Sequence, residues 1–553
     1  MAGVAMPVVL ALPLLAGLGG VLLPALGIHP ALGFFKLSPD PLIGLLGDPS
    51  FPKALLTTLV SAVGAASLAV SGAFAFCAVL HASPWFVRLR TVLAAALSLP
   101  HASFAVGLAF LIAPSGFAAR LLSPQLTGWE LPPDIVTTGD PLALSLLAAL
   151  ALKEVLFLIL MIIAVLGQIP AEASLRTAQS FGYGPVRAWL SVIAPQVYSR
   201  IRLPIYAVIA ASLGSVDLAL VLGPSAPPTL AVLILRWFND FDLALQLRAA
   251  AGALLLLVLT VAVIAAWRFC ERALAPLAQA WLRRGARRGV AEPVAQILGA
   301  GLAGLSLAVS SCAALVLLIW SFAHHWPWPS AFPTGWTSAN WTQLLPALLP
   351  VIGQTIVLAA ASAILSMTLV ITALEAEPEA SPHWLPALAY VPLLVPQIGI
   401  LFGMQVFWSA LRWDGSWAAL IWTHLVFVVP YLYLSLRLPF TALDPRLAQT
   451  ARSLGKSRLE TLMRVKLPLV VRPLLIAFAI GVTISVSLYL PTIVAGAGRI
   501  NTLATETIAL ASGGDRRTLG VVAITLAILP FIALFGAFLI SAAAARHRRG
   551  LGA

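Results

Sequence analysis

The sequence predicts an all-α polytopic membrane protein, with about twelve transmembrane helices arranged as two parallel six-helix repeats. Three observations predict this fold class. Apolar residues make up 60% of the 553 residues and charged residues only 10%, whereas soluble domains average about 45–50% and about 25%. Apolar runs long enough to cross a bilayer recur along the whole chain. One segment of the sequence also recurs at a fixed distance, as an internal repeat requires.

Twelve runs have the roughly 20 mostly apolar residues that a spanning helix needs. The first run lacks the basic residues that precede the apolar core of a signal peptide, so we expect a retained first helix. The expected spans lie at 4–26, 54–80, 91–113, 145–167, 203–223, 244–269, 297–322, 347–374, 384–411, 416–438, 471–492 and 519–543.

Basic residues concentrate in alternate loops. A cytoplasmic N-terminus places most of the 33 Lys and Arg residues in cytoplasmic loops, in agreement with the positive-inside rule. This distribution accounts for the net charge of +13 without a nucleic-acid partner. The acidic loop 375–383 is an exception, but acidic residues weigh little in this rule. We therefore expect a multi-pass protein in contact with lipid, with both termini in the cytoplasm.

Two stretches, 176–195 and 449–468, carry matching residues 273 positions apart. Charge bias predicts basic residues in such loops but not a fixed Ala-x3-Gly-x12-Pro spacing. The repeat predicts a first six-span domain at 1–275, a basic cytoplasmic linker at 276–293 and a second six-span domain at 294–553. The matched residues are Thr177, Ala178, Ser180, Gly182 and Pro195 in the first copy, and Thr450, Ala451, Ser453, Gly455 and Pro468 in the second.

The second stretch predicts a short amphipathic helix over 443–459. Asp444 is a favourable N-cap and Pro445 suits the first helical position. Leu447, Ala451 and Leu454 share one face of such a helix. Gly455 is a point where the helix can end or turn. A short helix of this kind outside the membrane suits a groove on a partner protein.

The repeated pattern resembles the EAA loop of the permease subunits of bacterial ABC importers, typically E-A-A-x3-G-x9-I-x-L-P. In that family the loop is the coupling helix, which docks in a cleft of a cytoplasmic ATPase. The leading Glu is absent from both copies here. The chain is identified as two fused MetI-like (EAA-loop) domains, and it resembles the fused permeases for thiamine and ferric iron and the Ynj-type fused permeases. The matches are Ala178, Gly182, Ile193 and Pro195 in the first copy, and Ala451, Gly455, Leu467 and Pro468 in the second.

The resemblance implies a transport subunit of the bacterial inner membrane, not an enzyme, that forms the translocation path for a small-molecule solute. It implies a cytoplasmic ABC ATPase, as a homodimer, and an outer solute-binding protein as partners. No cofactor is expected on this chain, and the partner ATPase uses the ATP. The residues expected to couple to that ATPase are Ala178, Gly182, Pro195, Ala451, Gly455 and Pro468.

A nucleotide site on this chain is not expected. Gly455-Lys456-Ser457 looks like the end of a phosphate loop, G-x4-GKS. That motif requires a Gly where Thr450 stands, and a strand before it. No His or Cys spacing indicates a metal site either, and we expect the three cysteines to be small apolar core residues.

Polar residues inside spans are costly, so each needs a partner or a role. Three residues can contribute to the translocation path or have a purely structural role. The structural role is hydrogen bonding between helices for Asp217, packing for His424, and a solvated loop position for Glu506. His101 and Gln397 each follow a proline that is matched between the halves at offset 296. The candidates for the translocation path are Asp217, His101, Gln397, His424 and Glu506.

Two other classes of function fit the sequence less well. An ion-coupled twelve-span secondary transporter would leave the paired loops unexplained. A membrane-embedded enzyme would require a motif such as HExxH or GxSxG, which the sequence lacks. The identity of the solute stays open among thiamine, ferric iron, an oxyanion and a polyamine.

Overall fold

The computed structural model describes residues 2–81, 92–285, 292–376 and 384–546. These ranges are predominantly helical. Their one sheet is a two-stranded antiparallel hairpin of β1 (Ala323–His325) and β2 (Gly335–Trp336). The fold class is that of an all-α polytopic membrane protein, as the sequence predicts.

The helices before β1 include both long apolar segments and short connecting turns. A 3-10 turn covers Pro30–Leu32 and a π-helical segment covers Trp189–Ile193. The α-helices are α1 (Ala2–Ala25), α2 (Asp40–Leu46), α3 (Phe51–Leu80), α4 (described over residues 92–97), α5 (His101–Ile112), α6 (Phe117–Leu122), α7 (Leu144–Leu166), α8 (Ala171–Ser180), α9 (Pro185–Ala188), α10 (Ala194–Leu213), α11 (Asp217–Leu222), α12 (Leu230–Phe238), α13 (Ala244–Arg283) and α14 (Glu292–Phe322).

The helices after β2 repeat this alternation. A second π-helical segment covers Leu462–Lys466. The α-helices are α15 (Ala339–Ala376), α16 (Trp384–Leu394), α17 (Gln397–Ala410), α18 (Trp417–Thr441), α19 (Pro445–Ser453), α20 (Arg458–Thr461), α21 (Leu467–Leu469), α22 (Val471–Ser487), α23 (Leu490–Gly496), α24 (Leu503–Ala511) and α25 (Arg516–Arg546).

Nine helices among the described residues are long and apolar enough to cross a membrane, and two bent pairs raise the number to at most eleven. The bent pairs are Pro386–Leu394 with Gln397–Ala410, at 100°, and Arg458–Leu469 with Val471–Ser487, at 84°. The span expected at 203–223 is not among them, because α10 ends at Leu213 and α11 has six residues. The described residues therefore hold fewer candidate spans than the twelve expected.

The chain forms two compact units, and neither is a contiguous half of the sequence. The C-terminal unit comprises Met1–Gly20, Ser338–Leu393 and Ile400–Ala553, and the N-terminal unit comprises Val21–Thr337 and Leu394–Gly399. Each unit thus includes the first helix of the other predicted half. The predicted domain boundaries at 275 and 294 describe the sequence repeat, and they stay a prediction. The predicted linker begins inside α13, which continues to Arg283, and part of it, 286–291, lies outside the described residues.

In the C-terminal unit, α1 is part of the core. Met6 and Leu10 are buried in one apolar cluster with residues of α15 and α18, such as Val370 and Val428. Small residues allow the backbones to approach closely, since a Cβ built on Gly20 would lie 2.6 Å from the Gly403 oxygen. Close approach through glycine is a common way for membrane helices to pack.

In the N-terminal unit, α14 packs on α3 and α5. A Cβ built on Gly107 would lie 2.7 Å from the backbone oxygen of Ala313, so glycine is required at this crossing. The buried guanidinium of Arg120 lies over the rings of Trp326 and Trp328, at 5.1 and 5.5 Å. These two tryptophans therefore pack against an arginine of their own unit.

One hydrogen bond recurs in the two units. The Leu230 amide at the start of α12 donates to Oγ1 of Thr58 on α3, at 2.8 Å. The Leu503 amide at the start of α24 donates to Oγ1 of Thr355 on α15, at 3.0 Å. Both bonds satisfy one of the amides that a helix start leaves unpaired. Leu230 and Leu503 are 273 residues apart, the offset of the sequence repeat.

Candidate functional site

The first docking segment, defined as residues 171–195, begins with α8. Leu175 and Ala178 are the buried residues of this ten-residue helix. The helix ends at Ser180, and Gly182 just beyond it has a φ of 84°, in the left-handed region that favours glycine. The Tyr183 amide donates to the Ala178 oxygen at 3.3 Å, and the Gly182 amide to the Gln179 oxygen at 2.9 Å. These two bonds and the glycine form a Schellman motif, a common helix C-terminus.

The second docking segment, defined as residues 444–468, repeats this geometry. Gly455 has a φ of 79°. The Lys456 amide donates to the Ala451 oxygen at 3.1 Å, and the Gly455 amide to the Arg452 oxygen at 2.9 Å. Each of these four atoms has its counterpart 273 residues earlier. The Ala-x3-Gly spacing therefore has a physical cause: Ala supplies the last buried contact and Gly supplies the left-handed residue that ends the helix.

The start of α19 confirms the prediction and its end corrects it. The Asp444 side chain caps the helix by accepting from the Arg446 amide at 2.9 Å, and Pro445 is the first helical residue. The helix expected over 443–459 ends at Ser453, however. The left-handed Gly455 terminates it, and Ser457 starts the separate helix α20 with a capping box. Leu454 consequently does not share a buried face with Ala451.

A π-helical segment precedes the matched proline in both segments. The Ala194 amide bonds to the Trp189 oxygen, and the Leu467 amide to the Leu462 oxygen, both five residues back. Pro195 and Pro468 follow directly. Proline lacks the amide for a regular helical bond and its ring crowds the carbonyl four residues earlier, so a widened turn is a natural way to accommodate it. The matched prolines thus mark where each segment turns into the next helix.

Each docking segment exposes one large apolar side chain at the same position. Phe181 is 65% exposed and Leu454 is 76% exposed. Both residues occupy the C-cap position just before the left-handed glycine, and they are 273 residues apart. Ala178 and Ala451, by contrast, are buried. The sequence interpretation missed this pair, although the offset that aligned the glycines also aligns Phe181 with Leu454.

Helix α10, which continues the first docking segment, is anchored to α13 by a polar cluster around Glu271. The Glu271 carboxylate accepts from the Tyr198 hydroxyl at 2.7 Å and the Arg268 guanidinium at 2.5 Å. The Arg202 guanidinium lies 3.4 Å from it, and the Tyr206 hydroxyl donates at 3.3 Å. Burial raises the pKa of Tyr198, and its bond to Glu271 raises it further, so the phenol stays protonated as the donor.

This cluster also escaped sequence analysis. Tyr198, Arg202 and Tyr206 are spaced at i, i+4 and i+8, which places them on one face of a helix. This row of polar residues on one helix face could have indicated a polar contact with a neighbouring helix. Nothing in the sequence, however, relates the row to Glu271, which lies on a different helix.

The second docking segment has a different anchor. The Lys466 ammonium donates to the Glu375 carboxylate at 2.6 Å, and both side chains are largely buried. Glu375 belongs to the acidic loop that departed from the positive-inside pattern. Its partner lies in a strongly basic loop, so the pair places the two loops on the same side of the membrane.

The candidates for the translocation path fall into three places. Asp217, at the start of α11, lies 3.6 Å from Nδ1 of His101 on α5. Gln397 lies near them, because the preceding Pro396 packs on Gly214, three residues before Asp217: a Cβ built on Gly214 would lie 2.9 Å from Cβ of Pro396. All these residues belong to the N-terminal unit.

The other two candidates belong to the C-terminal unit. His424 is buried and its two ring nitrogens pair with hydroxyls, Nδ1 with Ser485 at 2.8 Å and Nε2 with Thr492 at 3.0 Å. This geometry favours the packing role for His424. Glu506 lies in the first turn of α24 and is half-buried.

Comparison with known proteins identifies a relative that aligns with most of the chain. The chain is 30% identical over 492 residues to the inner membrane ABC transporter permease protein YnjC of Escherichia coli (strain K12). The match covers 88% of this chain and 88% of that protein. No family model matches the sequence.

Proposed function

Since the chain belongs to the inner membrane ABC transporter permeases, we propose that it is the permease subunit of an importer with two ATPase-docking segments in a single chain. It forms the translocation path for a small solute, and a separate cytoplasmic ATPase hydrolyses the ATP. A solute-binding protein on the outer side delivers the solute. The two docking segments, 171–195 and 444–468, transmit ATP binding and hydrolysis to the path.

The paired apolar side chains carry this proposal. Phe181 and Leu454 are exposed at equivalent positions beside matching helix ends. Burial of a Phe or Leu side chain contributes about 1.5–3 kcal/mol of favourable free energy. A complementary cleft on a partner would bury these side chains and so gain that free energy on binding. A partner with two equivalent clefts, such as a homodimeric ATPase, fits two such side chains at equivalent positions.

The site of ATP hydrolysis is proposed on the partner, because the GKS sequence has another role here. Gly455 is the left-handed residue after α19, and Ser457 caps α20 by accepting from the Glu460 amide at 3.2 Å. The preceding element is a helix, whereas a phosphate loop follows a strand. Gly455, Lys456 and Ser457 therefore serve a helix–turn–helix connection.

The internal repeat is part of the proposal, and three paired features support it. These are the Schellman ends at Gly182 and Gly455, the π-helical segments before Pro195 and Pro468, and the bonds of Leu230 and Leu503 to threonines. A duplicated ancestral permease accounts for all three, with the helix ends, the prolines and the two leucines at an offset of 273 and the two threonines at an offset of 297.

Co-purification tests the proposal. The tagged full-length chain is purified from its native membranes next to a double variant, Phe181→Ser with Leu454→Ser. We expect the wild type to retain a subunit that hydrolyses ATP, and the variant to lose it through binding weaker by about a hundredfold or more. Leu126→Ser, at an exposed position before α7, is the matched control. Equal ATPase recovery from the double variant, or uptake that needs no ATPase, contradicts the proposal.

A further inference from the structure

A helix is interrupted at matching positions in the two halves, within spans that the sequence predicts. In the first half α10 ends at Leu213 and α11 begins at Asp217. In the second half α22 ends at Ser487 and α23 begins at Leu490. The offset of 273 equates Asp217 with Leu490. Broken helices interrupt backbone hydrogen bonding at membrane depth, and such breaks are tolerated where they are buried in protein or line a cavity.

The second-half break is closed by a neutral hydrogen-bond network. His424 bridges the Ser485 hydroxyl on α22 and the Thr492 hydroxyl on α23. All three side chains are buried. The Thr492 hydroxyl also donates to the Leu488 backbone oxygen inside the break, at 2.6 Å. The polar groups of this break therefore satisfy one another.

The first-half break lacks this closure. Ala151 stands at the position of His424, and Ser212 at the position of Ser485. The buried hydroxyl oxygens of Ser212 and Ser215 have no hydrogen-bond partner among the residues that the structure describes. A buried polar group without a partner costs about 1–3 kcal/mol. Two such hydroxyls beside one break indicate a place where another molecule supplies the missing partners.

The charges around this break are unevenly satisfied. Lys153 is buried and donates to the backbone oxygens of Leu97, at 3.3 Å, and Leu99, at 2.7 Å. It also interacts electrostatically with Asp217 and Glu154. Backbone oxygens therefore hold the Lys153 ammonium in place.

The Asp217 carboxylate accepts from the Leu218 amide at 3.0 Å, and its side-chain partner, His101, is loosely held. Its Nδ1 lies 3.6 Å from the carboxylate, longer than a good charge-assisted hydrogen bond. The His101 side chain is 44% exposed and that of Asp217 is 17% exposed. A ligand can therefore take the place of the imidazole beside Asp217 without breaking a strong bond.

We propose that the break between α10 and α11 binds a cationic, hydrogen-bond-donating nitrogen group of the transported solute, with Asp217 as its counter-ion and the Ser212 and Ser215 hydroxyls as acceptors. The carboxylate excludes an oxyanion at this point, since like charges repel. The inference rests on the proposed role as a permease, and it selects organic cations from the solute classes that the sequence left open.

Ligand-induced stabilisation of the isolated permease tests this site. The full-length chain in lipid nanodiscs is unfolded by heat with thiamine, spermidine or molybdate at matched ionic strength. We expect at least one of the two organic cations, and not molybdate, to raise the Tm. The Asp217→Asn variant should lose the shift. Ser215→Ala, which removes only an unpaired hydroxyl, should fold normally and weaken the apparent Kd by about tenfold, as for a lost hydrogen bond to a charged group.

Ser485→Ala is the matched control, because it alters the closed break and should leave cation binding unchanged. Stabilisation by molybdate, no shift with either cation, or shifts that survive in both Asp217→Asn and Ser215→Ala overturn the site. The experiment needs no ATPase. Loss of cation binding with intact ATPase capture therefore removes this site alone, whereas loss of ATPase capture with intact cation binding removes the docking proposal.

Discussion

The guanidinium of Arg187 stacks on the indole ring of Trp281 at 3.2 Å from the ring centroid, and its Nη2 donates to the Trp281 backbone oxygen at 3.1 Å. Arg187 belongs to the first docking segment and Trp281 to the last turn of α13. The position equivalent to Arg187 in the second segment is Glu460, which instead completes a local capping box. The two segments share their fold but are held to the protein by different contacts.

We expect Arg187→Ala to loosen the first docking segment alone. Arg187 is buried, and a desolvated cation–π contact is worth about 2 kcal/mol. Hydrogen exchange of residues 181–193 should accelerate by roughly tenfold or more, with no change over 454–466. Arg187→Lys should restore little, because a lysine does not stack as a guanidinium does. Unchanged exchange in Arg187→Ala contradicts this account.

Glu271→Gln and Glu375→Gln should separate the two anchors. Glu271 is largely buried among two arginines and two tyrosines, and removing one member of a buried charge pair costs about 3–5 kcal/mol. The first variant should raise hydrogen exchange in the first docking segment, and the second variant should raise it in the second. Identical exchange profiles for the two variants would show that the anchors are not independent.

Gly455→Val and Gly182→Val should weaken ATPase coupling while the chain still inserts in the membrane. A non-glycine residue in the left-handed region costs about 1–2 kcal/mol, more for a β-branched one, and that strain falls on the end of each docking helix. The measurement is ATP hydrolysis by the co-purified ATPase per mole of permease. Gly514→Val is the control, since Gly514 has no positive φ and open space around its Cα. Wild-type hydrolysis in both variants would remove the coupling role of the two glycines.

His424→Ala should lower the free energy of unfolding by about 2–3 kcal/mol, because it leaves the buried Ser485 and Thr492 hydroxyls each short of one bond. The equivalent position in the first half is Ala151, so this substitution introduces the residue type found there. Denaturant unfolding in detergent gives the difference. A Ser485→Ala, Thr492→Ala, His424→Ala triple variant should regain much of the loss, since replacing all partners removes the unpaired groups. A single variant as stable as the wild type contradicts the packing role.

Acid should destabilise the start of α7 through Asp140. Burial by itself raises the pKa of Asp140, but hydrogen bonds from Ser145 and from the Leu144 and Ser145 amides bring it below the usual value. The folded-state pKa is thus below the unfolded value of about 3.9. The stabilisation is complete above the unfolded value and is lost as the pH falls through the folded value. Tm measured from pH 7 to pH 3 should fall less in Asp140→Asn than in the wild type.

The sequence predicts the local features of the docking segments better than their surroundings. The start and the end of α19 depend on local backbone geometry and on bonds to near neighbours. The residue types of Asp444, Pro445 and Gly455 are therefore enough to predict where the helix begins and that it ends near Gly455. The overlong helix over 443–459 arose because hydrophobic spacing continues past the residue whose backbone ends the helix. The division of 203–223 into two helices is a tertiary effect, in which Gly214 lies against Pro396. Glu271 and Glu375 were not predicted because their partners lie on other helices, at separations that no local pattern encodes.

The placement of α1 has a consequence for the order in which the protein is made. Met6 and Leu10 are synthesised some 360 residues or more before Val370 and Val428, two residues of the apolar cluster that buries them. Synthesis at the usual rate separates these events by a delay on the order of tens of seconds. During that interval the inner face of α1 has only lipid or an insertion factor against it. A ribosome that stalls midway leaves this helix unpaired in the bilayer, exposed to the quality-control proteases of the membrane.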